Sequence, residues 1–253
     1  MDAPCSPTML QQLPLFPLQS VFFPDGLLAL QVFEVRYLDM IGRRHRAGEP
    51  FGVVGLTRGN EVRQPAAAPG GAAFADEAFH EIGTLARIDS LERPRPGLML
   101  VRCTGTQRFR IQPGARQTFG LWSADVELLA PDLVVPVPEE IGFARDGLQT
   151  LMRRIDQASG PNGEGAELAL LEPHRWDDCG WVANRWCELL PLDAAVKQRF
   201  MALENPLLRL ELVADALGQI GFKVSDCPRL GEVSRPSPPI PSPPAPTWSS
   251  RWQ

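Results

Sequence analysis

Lysine is almost absent from this sequence of 253 residues, and long apolar runs are missing. Lys197 and Lys223 are the two lysines, so arginine carries nearly all of the positive charge. Neither lysine stands at the end of a glycine-rich loop, where a phosphate-binding loop needs its lysine to reach the β- and γ-phosphates. ATP hydrolysis through such a loop is therefore excluded. No stretch of about eighteen apolar residues occurs, so we predict no membrane-spanning helix.

Sequence signatures of catalytic and metal sites are also missing. His45, His80 and His174 have neither the partner four residues away nor the carboxylate pattern of a metalloprotease. His174 is followed by Cys179 and Cys187, but the spacing fits no zinc signature, and cysteines two helical turns apart commonly fill a core. No Gly-x-Ser-x-Gly elbow is present to activate a serine. We therefore expect no catalytic residue, no metal and no cofactor, and a protein that is not an enzyme.

The overall composition is that of an ordinary soluble globular protein. The net charge of -5 gives the molecule as a whole no electrostatic attraction for nucleic acid. An odd number of scattered cysteines favours reduced thiols in a cytosol. These are Cys5, Cys103, Cys179, Cys187 and Cys227. The start of the chain has no basic region before its apolar residues, so we expect no targeting segment and a cytoplasmic protein.

The first half of the chain has the pattern of short strands with one early helix. A change of period at residues 35–46 predicts the helix, with Val35, Leu38 and Ile41 on one face. Residues 58–78 are rich in Gly, Ala and Pro, which predicts a mobile loop. Several short strands with one helix indicate a small barrel or folded sheet. The predicted strands are residues 13–16, 27–33, 51–57, 81–91, 98–103, 107–112 and 121–129.

The second half of the chain has helical periodicity. Residues 138–158 place apolar side chains near one stripe, and residues 176–190 form a second candidate helix that ends before Pro191. Asp193 is suited to cap a third helix. Asn205 followed by Pro206 supplies an N-cap and a first-turn proline for a fourth helix.

The last residues of the chain are dominated by proline and serine. Such a composition favours an extended, solvated tail. Residues 236–239 (PSPP) also fit a PxxP recognition pattern, so a binding motif remains the alternative. We predict a β-rich subdomain over residues 10–130, a helical subdomain over 136–222 and a disordered tail over 225–253.

Several motifs in register resemble the amino-terminal substrate-binding domain of the Lon protease family. The opening segments are residues 13–18 (LPLFPL), 21–24 (VFFP) and 32–37 (VFEVRY). Later segments are residues 51–54 (FGVV), 82–88 (IGTLARI), 105–111 (GTQRFRI), 190–193 (LPLD) and 203–210 (LENPLLRL). The resemblance covers roughly residues 10–220. Several ordered motifs together are far more specific than any one of them.

The resemblance implies an α+β fold, in which a PUA-like β pseudo-barrel is followed by a C-terminal helical bundle. It also implies a non-catalytic module that binds polypeptide segments or a protein partner. Full-length Lon proteases continue into an ATPase and a Ser-Lys protease, and neither signature occurs here, so we expect the domain to stand alone. The alternative is RNA or small-ligand binding through the barrel, which the acidic net charge disfavours. The sequence leaves the oligomeric state open.

The candidate partner-binding residues are five side chains near the first turn and the early helix. Phe22 and Phe23, with the loop at residues 58–78, are our candidate for the surface that captures a partner. The other three, Glu34, Arg36 and Tyr37, suit either a fold-defining corner or a ligand contact, and Arg36 is close enough to pair with Glu34 or Asp39. Phe33 should enter the core between strand and helix.

Two arginines on one predicted strand bear on the nucleic-acid alternative. Strand alternation places Arg108 and Arg110 on one face, with Phe109 on the opposite face. This is the pattern of an amphipathic strand, so we expect both arginines on the solvent side of the barrel.

Overall fold

The computed structural model describes residues 8–58, 77–158 and 172–221, and these form a barrel followed by helices. The first part contains β1 (Met9–Leu18), β2 (Leu27–Val32), α1 (Val35–Ala47), β3 (Phe51–Arg58), β4 (Ala78–Arg95), β5 (Leu98–Ile111), β6 (Arg116–Thr118) and β7 (Leu121–Leu128). A 3-10 turn (Glu139–Ile141) then leads to α2 (Gly142–Ala158), α3 (Cys179–Leu189), α4 (Ala194–Ala202) and α5 (Pro206–Gln219). Most of the predicted loop and the whole of the predicted tail lie outside the described residues.

The sheet closes on itself to form the barrel. Its strand order is β2-β5-β4-β3-β1-β7-β6, and β5 also pairs with β7. Within the described part of the chain, the closed ring is therefore β5-β4-β3-β1-β7, with β2 and β6 added outside it. The pairing of β1 with β3 is parallel and the other pairings are antiparallel. The expectation of an α+β fold with a β pseudo-barrel is confirmed.

β5 is one long strand where the sequence pattern predicts two. Gly105 separates the two apolar runs, but its N–H donates to the Gly26 carbonyl at 2.9 Å, and its own carbonyl accepts from the Asp25 N–H at 2.8 Å. The turn between β1 and β2 thus supplies hydrogen bonds at the point where the side-chain pattern breaks. The strand continues because its backbone groups remain paired.

The buried face of α1 only partly matches the predicted one, since Ile41 is buried and Leu38 packs against the core but Val35 does not. Tyr37, Met40 and Ile41 are buried, at the i, i+3, i+4 spacing of a helix face. Phe33 is 55% exposed, so the expectation that it enters the core is wrong. Val35, predicted to share a face with Ile41, is 80% exposed. The extended backbone of Glu34 sets the helix entrance, and the residues on either side of it face outward.

The helices of the second half are built around α3. Its residues from Cys179 to Cys187 are buried, and both cysteines fill the core as predicted. The helix begins three residues later than expected because Asp178 caps it, accepting hydrogen bonds from the N–H groups of Gly180 and Trp181. Trp176 lies before the helix and meets the Trp181 ring edge-on, with 5.0 Å between the ring centroids.

The predicted caps of the last two helices have different outcomes. Asn205 caps α5 as expected, with its side-chain oxygen 3.0 Å from the N–H nitrogen of Leu207. Asp193 stands at the N-cap position of α4, but its side chain makes no capping hydrogen bond. The described helices include none with the length and apolar character needed to cross a bilayer.

Candidate functional site

A cleft of about 920 Å³ separates the barrel from the helical half of the protein. Its barrel side is formed by β4 and β5, including Thr104, Gly105 and Thr106. Its helical side is formed by the segment that enters α3 and by α3 itself, including Trp181 and Asn184. The cleft thus lies at the interface between the barrel and the helical subdomain, where the two do not pack fully against each other. Interfaces of this kind are common positions for binding sites.

Beside the cleft, a group of charged and polar side chains joins the two halves. Asp132, in the connection after β7, accepts a hydrogen bond from the Arg108 guanidinium at 2.7 Å. It also accepts two from Arg209 of α5, one of them at 3.2 Å. Arg209 in turn donates to the Asn184 side chain at 3.1 Å. We call these four residues, Arg108, Asp132, Asn184 and Arg209, the junction cluster.

The two arginines of the junction cluster are almost completely withdrawn from water, whereas Asp132, whose side chain is 16% exposed, faces the cleft. The side chain of Arg108 is 5% exposed and that of Arg209 is 1% exposed. Arg108 also donates to the carbonyl of Met201 at 2.6 Å and to that of Leu203 at 3.0 Å. Loss of water lowers the pKa of Arg108, and the Asp132 carboxylate opposes that shift. Arg108 is therefore a connection between barrel and helices.

The expectation that Arg108 faces solvent is thus wrong, although the alternation itself holds. Phe109 is fully buried inside the barrel, while Arg108 and Arg110 point the other way. At Arg108 that outer face is covered by the end of α4 and the chain that follows it. Arg110 has a side chain that is 40% exposed, in line with the expected solvent position, and lies 3.9 Å from Glu204. Alternation identifies the two faces of a strand, but it does not identify what packs on the outer one.

The turn at residues 23–26 forms one rim of the cleft and is held by arginines. Arg185 of α3, which is buried, donates to the carbonyls of Pro24, at 2.7 Å, and Asp25. The Asp25 carboxylate forms an ion pair with Arg175, which precedes α3. Arg185 also contacts the Glu188 carboxylate at 2.8 Å. Loss of water raises the pKa of Glu188 to about 7, although Arg185 and Lys197 act in the opposite direction.

Phe22 and Phe23, two of the predicted partner-contacting residues, are packed into the protein. Phe22 is 7% exposed and Phe23 is fully buried, each in a different hydrophobic core. A side chain at Gly105 would overlap the backbone carbonyl of Phe23, which requires glycine there. The structure therefore gives both phenylalanines packing roles, and their predicted contact with a partner stays a prediction. The associated loop falls largely at residues 59–76, outside the described part.

Glu34, Arg36 and Tyr37 form a corner at the entrance of α1. The Arg36 side chain donates to Glu34 at 2.8 Å, which is one of its two predicted partners, whereas Asp39 pairs with Arg43. The Arg36 guanidinium carbon also lies 4.3 Å from the Tyr37 ring centroid. Arg36 also donates to the carbonyl of Gly120 in the β6–β7 turn. These contacts give the corner a structural role. Its predicted contact with a ligand remains a prediction, and these three residues are not among the described cleft-lining residues.

Three members of the junction cluster were missed by sequence reasoning. Asp132 belongs to no motif, and nothing in its local pattern distinguishes it from a surface residue, whereas Asn184 lies three positions from both Trp181 and Cys187 on α3 and so shares their buried side. Arg209 did carry a signal, because it precedes the core residue Val213 by four positions on α5 and therefore lies on the buried stripe. An arginine on such a stripe requires an acidic or carbonyl partner, which Asp132 supplies.

The accessible charges of the cleft are of both signs. Arg87 pairs with Asp89 at 3.0 Å, and Asp89 also accepts from the Thr104 hydroxyl at 2.5 Å. Across residues 8–58, 77–158 and 172–221, no group of three or more His, Cys, Asp or Glu residues is placed to hold a metal. The arrangement offers hydrogen-bonding groups and apolar surface, such as Pro131 and Pro173, to a ligand.

Comparison with known proteins finds one family and related solved structures. The model of the ATP-dependent protease La (LON) substrate-binding domain matches residues 12–219. The crystal structure of a Lon N-terminal domain protein from Xanthomonas campestris is 28% identical, with a TM-score of 0.61, covering 81% of this chain and 98% of that chain. The N-terminal domain of Mycobacterium avium complex Lon protease is 13% identical, with a TM-score of 0.49, covering 85% and 99% respectively. No curated protein matches.

Proposed function

The chain belongs to the Lon substrate-binding domain family, and from this premise we propose that it binds polypeptide segments in the cleft without transforming them. The observation that carries this proposal is the position of the cleft, which lies between the barrel and the helices. A site of this kind takes its two walls from different subdomains, so each wall contributes different chemistry to a ligand.

The size and lining of the cleft suit a short stretch of polypeptide. Its volume of about 920 Å³ lies at the upper end of the range of small-molecule sites, roughly 300–1,000 Å³. Leu27 and Pro131 offer apolar surface. The side-chain oxygens of Thr106 and Gln107 can accept hydrogen bonds, while their donor atoms bond to the carbonyls of Leu85 and Leu129. A peptide needs both, because its backbone polar groups must be paired while its apolar side chains are buried.

The walls of the cleft are held in place before any ligand arrives. The junction cluster fixes α5 and the connection after β7 to the barrel, and Arg185 fixes the turn at residues 23–26 to α3. A site with fixed walls loses less conformational entropy on binding than one that must be ordered. The same ion pairs support a binding role rather than a catalytic one. The carboxylates of Asp25 and Asp132 are paired with arginines, which leaves them poorly suited to act as a general acid or base.

The test is a titration of fluorescent unfolded peptides with the purified protein. Thr106 is exposed on β5 and lines the cleft, so Thr106→Trp places a large ring in the cleft space. We expect peptide affinity to fall at least about tenfold, which corresponds to about 1.4 kcal/mol. The matched control is Thr57→Trp, another exposed threonine on a strand, which should bind like the wild type. Equal binding by both variants would contradict the location, and failure of the folded wild type to bind any peptide would contradict the function.

RNA or small-ligand binding through the barrel remains the second candidate. The described cleft carries Arg87 and Arg102, but Asp25, Asp89 and Glu172 lie among them, so phosphate groups would meet mixed charge. Retention of RNA that weakens with salt would support this candidate. No retention at low salt would end it.

A further inference from the structure

Arginines of α1 and of the β4–β5 hairpin meet on one surface of the protein. A Cβ atom added at Gly42 of α1 would lie 3.4 Å from Nη2 of Arg93 and 3.9 Å from Nη1 of Arg46, so both guanidinium groups converge on this glycine. Arg95 lies two residues further along the hairpin, and all three arginines are exposed. We call Arg46, Arg93 and Arg95 the basic patch.

The guanidinium groups of the basic patch have no ion-pair partner among the described residues. The carboxylates of Asp39 and Glu49, which belong to α1 and to the turn after it, pair instead with Arg43 and Arg44. Glu92 of the hairpin is exposed on the opposite face of β4, because the leucine before it packs on the barrel core. The basic patch is thus a local excess of positive charge on a chain whose net charge is -5, and it attracts anionic groups.

An apolar pocket of about 440 Å³ lies beside the basic patch. Leu38 forms one wall, one helical turn before Gly42, and Arg93 and Arg95 border the pocket. The rest of the apolar lining comes from the hairpin, as Pro94, Pro96, Leu98 and Met99. None of the described lining residues is aromatic, and none of them lines the cleft. The surface therefore combines positive charge with aliphatic contact area, and it is separate from the cleft.

We propose that the basic patch and this pocket together dock an acidic polypeptide segment of a partner protein, which inserts an aliphatic side chain in the pocket. Charge complementarity supports this occupant, because aspartate and glutamate carboxylates accept paired hydrogen bonds from guanidinium groups. The aliphatic lining favours it over single-stranded nucleic acid, whose bases stack on aromatic side chains. Proline and leucine side chains instead suit a leucine, isoleucine or valine side chain.

The experiment follows the fluorescence anisotropy of a labelled peptide with the core EELEE as the full chain is added. At about 50 mM salt, the wild type is expected to bind this peptide at least about tenfold more tightly than the uncharged peptide QQLQQ. Raising the salt to about 500 mM should remove most of that difference. The peptide EEGEE lacks the aliphatic side chain and should bind roughly three- to tenfold more weakly than EELEE.

Variants of the hairpin locate the contact. Arg93→Gln combined with Arg95→Gln should weaken EELEE binding at least about fivefold. The matched control is Arg153→Gln combined with Arg154→Gln, since these exposed arginines of α2 give the same change in net charge and their loss should not affect binding. Leu98→Ala removes part of the pocket wall, so it should weaken the binding of EELEE but not that of EEGEE. Circular dichroism checks that each variant is folded.

Three results would overturn the proposal. One is a wild type that binds EELEE no more tightly than QQLQQ, and another is equal weakening by the hairpin and α2 variants, which would indicate net charge alone. The third is an oligouridylate RNA that binds more tightly than EELEE and is released by the hairpin substitutions, which would assign the basic patch to nucleic acid.

The cleft variant Thr106→Trp separates this proposal from the proposed function. It should bind EELEE like the wild type, because Thr106 lines the cleft and not the pocket beside the basic patch. Loss of EELEE binding in this variant would place the acidic segment in the cleft and contradict a second surface. Normal EELEE binding together with weakened binding of unfolded peptides would support both proposals.

Discussion

The strongest single perturbation that the structure offers is Asp132→Asn. The substitution keeps the shape of the side chain and removes its charge, which two arginines of different subdomains share. Asp132 accepts three hydrogen bonds, one from Arg108 and two from Arg209. Without the carboxylate, these two guanidinium groups face each other with little water to screen them.

The expected loss of stability follows from burial of the two arginines. A hydrogen bond to a charged group contributes about 1.5–3 kcal/mol, but bonds in one network do not add and desolvation offsets part of the sum. Removal of one partner from a buried ion pair costs about 3–5 kcal/mol, and we expect this range for Asp132→Asn. Typical domains have a free energy of unfolding of about 5–15 kcal/mol, so the variant should lose a large part of it.

The assay is urea unfolding followed by tryptophan fluorescence, because Trp181 and Trp186 are buried in the helical half. A double-mutant cycle that adds Arg209→Met should show strong coupling, since the second change removes one of the uncompensated charges. The control is Asp39→Asn, which breaks the exposed Arg43–Asp39 pair and should cost about 0.5 kcal/mol or less. A loss below about 1 kcal/mol for Asp132→Asn would refute the reasoning.

Three further perturbations test other parts of the structure. With a folded pKa of about 7, Glu188 favours the folded state at low pH, so this contribution should be lost as pH rises from about 4.5 to 7. Relative to Glu188→Gln, the free energy of unfolding of the wild type should fall by at most about 3 kcal/mol across that pH range. Urea midpoints that change with pH by the same amount in both proteins would contradict this. Gly105→Ala should destabilise the protein by about 1–3 kcal/mol because the added methyl group meets the backbone carbonyl of Phe23. Gly218→Ala, on an open helix surface, should stabilise it slightly. Equal urea midpoints for the two variants would contradict the close approach of Gly105 to Phe23. Burial raises the pKa of the thiols of Cys103, Cys179 and Cys187 to between about 11 and 12. With the other two cysteines replaced by serine, the folded protein should therefore resist a thiol reagent at pH 8 until urea unfolds it.

Features governed by local chemistry were predictable from the sequence. Asn205 and Pro206 fixed the start of α5 because a cap and a first-turn proline act within one helical turn. The early helix was predicted at residues 35–46 and spans Val35–Ala47, where Gly48 ends it with a left-handed φ of 66°. The ordered motifs also identified the family, whose match at residues 12–219 agrees with the expected span of roughly 10–220.

Features that depend on distant contacts were not predictable in the same way. Phe33 is outward because it follows the alternation of β2, in which Leu30 and Val32 are buried, and Val35 is outward because the buried face of α1 begins at Tyr37. Arg108 was placed on the correct face of its strand but in the wrong environment, because its partners Asp132 and Met201 lie 24 and 93 positions away. The cleft is bounded by the same long-range contacts, so its walls could not be assigned from sequence patterns.

The central claim is that polypeptide binds between the barrel and the helices. It is tested most directly by hydrogen exchange of the full chain with and without a saturating unfolded peptide. Protection that is concentrated at residues 104–107, 130–132 and 175–184 is the predicted result, because these segments form the two walls of the cleft. Protection confined to the β6–β7 turn or the α1 corner, with the cleft segments unchanged, would contradict the account.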